Sequence, residues 1–203
     1  MEAPFVNIHT HRPTGRHIEP SAIGIHPWDA ADGDLATVEQ QIDSAMAVGE
    51  IGLDYLHGHR ERQEELFIRQ LAMAETRAKP VILHCVRAFE PTMRLLKGFR
   101  LPAVLFHGFI GSPQQAAQAV AAGYLLSFGM RSFASPRTVR AMRQTPPERL
   151  FLETDDGPAP IETVYARAAE LLEMPLAKLR QTIYGNYRSI FPPEIDAAGP
   201  DKK

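Results

Sequence analysis

The sequence has one cysteine, one tryptophan, no long apolar run and almost no net charge, and each shortage excludes something. A lone Cys85 rules out an intramolecular disulfide framework and fits a reducing compartment, so a cytoplasmic protein is expected. No stretch reaches the ~18 apolar residues of a membrane-spanning helix. The opening MEAPFVNIHTH has no basic region followed by an apolar core and does not read as a secretory signal. A formal charge of -2 supplies no global basic field, so a nucleic acid partner has to be held by local groups or bound metal. No Gly-x-Ser-x-Gly elbow, P-loop or dinucleotide fingerprint occurs, which removes three common chemistries of α/β chains.

What is present is an ordinary globular composition, 44% apolar and 23% charged, in 203 residues, which suits one domain spanning 1–203. Seven apolar runs have strand length: FVNIHTH, AIGIHPW, VGEIGLDY, PVILHC, AVLFHGF, YLLSFG and RLFLETD. Helical periodicity fills the intervals. Helices are expected at Leu35–Ala47, at Glu61–Ala78 with Phe67, Leu71, Ala74 and Ala78 on one face, and from Ser112-Pro113 to Gly123. Further helices are expected from Ser135-Pro136, over Ile161–Glu173 and over Pro175–Tyr184, and the tail AAGPDKK reads as dispensable.

Strand alternating with helix predicts βαβ units and a parallel sheet. Open and closed forms share that rhythm, but histidines or acids stand at or near the downstream ends of six of the seven runs. A barrel brings all those ends to one rim, whereas an open sheet concentrates them at one switch point, so a TIM-like (β/α) barrel is expected.

The residues at that rim carry the chemistry. His9 and His11 are two apart on an extended run, so both imidazoles face one way and can hold a divalent metal. Glu50 lies inside an apolar strand, where a carboxylate needs a salt bridge or a metal. Asp54 shares its face. His84, His107 and Asp155 each end an apolar strand, and Glu153 lies deeper on Asp155's face. Each alone is compatible with a hydrogen-bonded core histidine or a turn cap; together, imidazoles and carboxylates from five strands at one end point to a metal site. Such ligands suit zinc, manganese or iron, while magnesium prefers oxygen-rich sites. Cys85 follows His84 directly and so points to the opposite face, which argues against a Cys/His nucleophile. His17, His57 and His59 read as loop residues.

In chain order, NIHTH, GIHP, GEIGLDY, RQEELFIRQLAMAETRAKPVILH, LFHGFIGS, LFLETD and GNYRSIF resemble the TatD family of metal-dependent deoxyribonucleases, among the amidohydrolase-like barrels. The likeness spans about Val6 to Phe191. GEIGLDY with Gln63 and Phe67, and ETD after an apolar strand, are its specific parts. Three spacings differ: only fourteen residues separate His11 from His26, the loop after ETDDGP is short, and Arg87 stands three places after His84. The first of these fits a barrel of seven strands with one βα unit missing.

The resemblance implies two divalent ions, magnesium, manganese or zinc. His9, His11 and Asp155 would hold one and His84 and His107 the other, with Glu50 bridging and Asp155 orienting or deprotonating the water. His26 and Arg87 are expected to contact substrate. The leading expectation is a 3'-5' exonuclease-like phosphodiesterase acting on single-stranded DNA or oligonucleotides, with no membrane and no obligate protein partner. Two other readings stay open: hydrolysis of a small ester, amide or phosphomonoester, and a non-catalytic metal-binding interaction protein.

Overall fold

The computed structural model describes residues 2–191. Six strands, β1 (Ala22–Ile23), β2 (Ala47–Asp54), β3 (Val81–Val86), β4 (Val104–Phe106), β5 (Leu125–Phe128) and β6 (Leu150–Leu152), form one parallel sheet in chain order. Between them run α1 (Leu35–Gln41), α2 (Arg60–Thr76), α3 (Phe89–Leu96), α4 (Pro113–Ala121), α5 (Met130–Phe133) and α6 (Pro136–Gln144). After β6 come α7 (Ile161–Leu172) and α8 (Leu176–Ile190). Parallel strands in sequence order put every downstream end on the same side, which is what gathers the polar residues. None of the described helices is long and apolar enough to cross a membrane.

The first of the seven expected runs is not a strand of the sheet. Residues 5–11 lie between the end of β6 and the Ile18 segment that precedes β1. On one side Ile8 N donates to Leu152 O, Asp155 N to His9 O and His11 N to Asp155 O; on the other, Asn7 N donates to Ile18 O and Ile18 N to Phe5 O. Side chains take the bonds a ladder would have used. Tyr165 Oη contacts both Val6 N and Val6 O, while Asn7 Oδ1 accepts from Thr154 N and Asn7 Nδ2 donates to Thr154 Oγ1. A segment tied alternately left, right and to side chains makes isolated bridges only.

Helix starts follow their sequence signals. Ser112 and Gln115 form a reciprocal capping box on α4, and Ser135 caps α6. Other boundaries differ. α1 stops at Gln41 because Ala47 already belongs to β2, Ala78 lies beyond α2 with a positive φ, and α8 runs on to Ile190. α3 and α5 are additions to the expected set, and AAGPDKK lies outside the described residues. Phe67, Leu71 and Ala74 of α2 are fully buried on the sheet, in one continuous core with Val48, Ile51, Leu83, Phe106, Phe128 and Phe151.

Two features of β2 and β3 position the site. The β2–β3 register slips between Val48 and Ile51, so the irregularity takes in Gly49 and Glu50, and such a bulge re-aims side chains. Gly52, at φ +141°, lets the chains approach so closely that a Cβ there would stand 2.0 Å from the His84 carbonyl oxygen.

Candidate metal centre

Glu50 is the hub of the rim. Its Oε2 lies 2.9 Å from both His9 Nε2 and His11 Nε2. Its Oε1 lies 2.7 Å from His107 Nε2, 3.2 Å from His84 Nδ1 and 3.5 Å from His26 Nε2. Asp155 Oδ1 joins the first group, 3.3 Å from His11 Nε2 and 3.8 Å from His9 Nε2. The two oxygens of one buried carboxylate thus face two different sets of imidazoles.

Behind these residues stands a layer that orients them. Asp54 Oδ2 lies 3.2 Å from His84 Nε2 and accepts the Trp28 indole N–H at 2.7 Å, while its Oδ1 accepts from Leu56 N. Glu153 Oε1 lies 3.3 Å from His107 Nδ1, and its Oε2 accepts from Ser127 Oγ at 2.6 Å. His26 Nδ1 accepts from Trp28 N, which leaves the proton on Nε2, toward Glu50. The backbone of α2's surroundings is fixed from within the helix. Gln63 Oε1 accepts from Asp54 N while its Nε2 donates to Asp54 O and Gly58 O, and Gln70 makes the same two-way clamp on Ile25 N and O.

The electrostatics concentrate negative charge at the rim. Burial alone raises the Glu50 pKa, but the imidazoles of His107, His26, His84 and His9 packed against its two oxygens overcome it and lower the pKa. For His107, burial favours the neutral ring, yet Glu153 and Glu50 on either side raise its pKa well above the usual value. Asp54 and Glu153 are shifted down against burial, Asp54 by the Trp28, Leu56 and His84 hydrogen bonds and Glu153 chiefly by His107. Asp155 is shifted up, first by burial and then by the nearby Glu153 and Glu50, outweighing His107 and His9.

The donor set fits divalent metal. Ligand atoms of His9, His11, Glu50 and Asp155 lie within 4.8 Å of one another, as do those of His26, Glu50 and His84, and of His107, Glu153 and Asp155. Although His9 Nε2 is only 2.9 Å from Glu50, it is buried with no hydrogen bond of acceptable geometry. Five ring nitrogens crowd two oxygens, more than their lone pairs serve with good angles. A cation among them gives each nitrogen lone pair a partner and relieves the packed carboxylates.

All six expected ligands, His9, His11, Glu50, His84, His107 and Asp155, therefore converge, with His26 beside them. Arg87 stands at the rim of a neighbouring cleft of about 550 Å³ that reaches His107 and is also lined by Phe89, Ile110 and Arg137. His17 is elsewhere, 3.0 Å from Glu162. His57 lies in the loop between β2 and α2, as expected, where it stacks on Trp28 and lies 3.1 Å from Asp54 Oδ2. Trp28, Ser127 and Arg131 were not anticipated; Arg131 Nη1 is 3.7 Å from Asp155 Oδ2, and no spacing in the sequence links it to that residue. Cys85 turns away, its Sγ 3.6 Å from Thr92 Oγ1 and its thiol pushed up to about 11 by burial, so no Cys/His dyad forms.

Comparison with known proteins places the chain in a family. Residues 16–192 match the family described as TatD related DNase. The metal-dependent hydrolase YabD of Bacillus subtilis is 30% identical over 84% of this chain and 76% of its own length. The 3'-5' ssDNA/RNA exonuclease TatD of Dickeya dadantii is 36% identical over 66% of this chain, which spans 56% of that protein. The crystal structure of the Escherichia coli TatD homologue YjjV aligns with a TM-score of 0.75 at 31% identity, covering 84% of this chain and 75% of that one. With this match and a rim built from histidines, Glu50 and Asp155, the chain belongs to the TatD family of metal-dependent hydrolases.

Proposed function

We propose that this chain hydrolyses phosphodiester bonds of single-stranded DNA or short oligonucleotides, working from the 3' end, with two divalent ions in the Glu50-centred site. The observation that carries the reading is the division of Glu50, one oxygen toward His9 and His11 and the other toward His84 and His107. In this account His9, His11 and Asp155 would hold one ion and His84 and His107 the other, with Glu50 contributing to both. Bound there, such ions neutralise phosphate charge and lower the pKa of a water.

The chain's own residues do the rest. Asp155 orients the attacking water and accepts its proton. Asp54 and Glu153 fix the ring orientations of His84 and His107 through their second nitrogens. His26, with Nε2 carrying the proton, donates to a phosphate oxygen. Arg87 and Arg137 supply positive charge along the 550 Å³ cleft, where an otherwise near-neutral chain needs it.

The test is digestion of single-stranded DNA labelled at the 5' end, with magnesium, manganese and zinc compared. A ladder of shortening 5'-labelled products is expected. Two bound ions per chain without cleavage would overturn the nuclease reading. One observation favours a second reading, hydrolysis of a small ester, amide or phosphomonoester. Only fourteen residues separate His11 from His26 and the loop after ETDDGP is short, so the rim has less chain with which to hold a long substrate. Turnover of small esters with no cleavage of DNA would select it.

A further inference from the structure

Trp28 is the one tryptophan of the chain, yet 58% of its surface is exposed. A buried indole is among the larger apolar contributions to a core, and this one is left open at the rim. It is nonetheless held firmly. Its Nε1 donates to Asp54 Oδ2 at 2.7 Å, and the His57 ring stacks on it at 4.6 Å between centroids and 29° between planes. His57 Nδ1 lies 3.1 Å from the same Asp54 oxygen, so one buried carboxylate fixes both rings. His26 meets the indole edge-on at 4.8 Å and His84 lies 6.0 Å away. An aromatic plane is therefore oriented by the residue that orients His84 and is left uncovered beside the centre.

We propose that Trp28, backed by His57, is a stacking platform for an unpaired nucleobase of the substrate, next to the phosphodiester that is cut. The proposal rests on the nucleic-acid reading above. Fixed rings suit this task because stacking then orders few new torsions, and every base has a π face, so one plane accepts all four. Beyond stacking, the platform presents no free indole N–H to read base edges, since Asp54 already occupies it. It therefore favours base over no base without selecting sequence, and it prefers an unpaired strand, whose bases can swing out.

The experiment compares a phosphorothioate-linked hexanucleotide with the same backbone made abasic. Binding is read by anisotropy of a terminal dye, and stacking by the emission of Trp28, which no other tryptophan obscures. The wild type is expected to bind the base-bearing strand roughly 5- to 100-fold more tightly than the abasic one, with saturable quenching of Trp28. Trp28→Leu should collapse that ratio to near one, and Trp28→Phe should keep most of it. Tight binding of the base-bearing strand without quenching overturns the platform and leaves the nuclease reading intact. A Trp28→Phe ratio as low as that of Trp28→Leu assigns Trp28 to bracing Asp54 through its N–H, and also overturns it. Failure to bind either strand removes the nucleic-acid reading and the platform together.

Discussion

Asp155 joins backbone and chemistry in one residue. Its N and O bond His9 O and His11 N, its φ is +54°, and its carboxyl reaches both histidines. Aspartate and asparagine tolerate that left-handed conformation, whereas alanine there costs roughly 1 kcal/mol. Asp155→Asn is thus the cleaner probe, and it should lower turnover by about 10²- to 10⁴-fold, measured as initial rates on a common substrate. Stability should move the other way. Because burial raises the folded pKa of Asp155 above its unfolded value, its favourable contribution is complete at acid pH and is lost as pH rises through the folded value. In chelator at neutral pH, Asp155→Asn should therefore melt a few degrees higher than wild type, at about 2–4 °C per kcal/mol, with the gap closing at acid pH. An unchanged or lower melting temperature would contradict the burial argument. At this scale the sequence was most legible where polar residues interrupt apolar runs, as at Glu50 and His107. Trp28, Ser127 and Arg131 could not be read, because their partners Asp54, Glu153 and Asp155 lie 24 or 26 residues away with no periodic relation.

Among the elements, α2 does more than cover the sheet. Gln63 and Gln70 stand seven apart on its buried face, each about 1% exposed, and clamp Asp54 and Ile25 at the ends of their strands. The GEIGLDY stretch and the downstream glutamine thus form one structural unit, in which Gln63 fixes the backbone of the aspartate that orients His84. Gln70→Leu removes the partner of both Ile25 N and Ile25 O, and should destabilise the protein by roughly 2–3 kcal/mol. Urea denaturation monitors this, with a lower midpoint and an unchanged slope expected. A midpoint unchanged from wild type would mean that the clamp adds nothing to stability. Helix existence was largely legible from caps and apolar spacing. Boundaries were less so, because where α1 yields to β2 is decided by sheet pairing, and the N-terminal run lost its ladder to bonds from Tyr165 and Asn7.

For the whole molecule, alternation of strand and helix and the placement of polar residues made the parallel α/β architecture and its functional end readable before any coordinates. How residues 5–11 are held was not readable, since it depends on bonds to Ile18 on one side and to Leu152 and Asp155 on the other, far apart in sequence. The consequence is a centre assembled from both ends of the chain. His9 and His11 are positioned by contacts with Asp155, and Glu50 lies between them and the middle strands. Removing the central carboxylate should then affect both halves together. The direct measurement is divalent-ion stoichiometry of wild type and Glu50→Gln by equilibrium dialysis and metal analysis. Two ions per chain are predicted for wild type, and loss of both with folding intact is predicted for Glu50→Gln. Undiminished binding of two ions in Glu50→Gln would contradict the account.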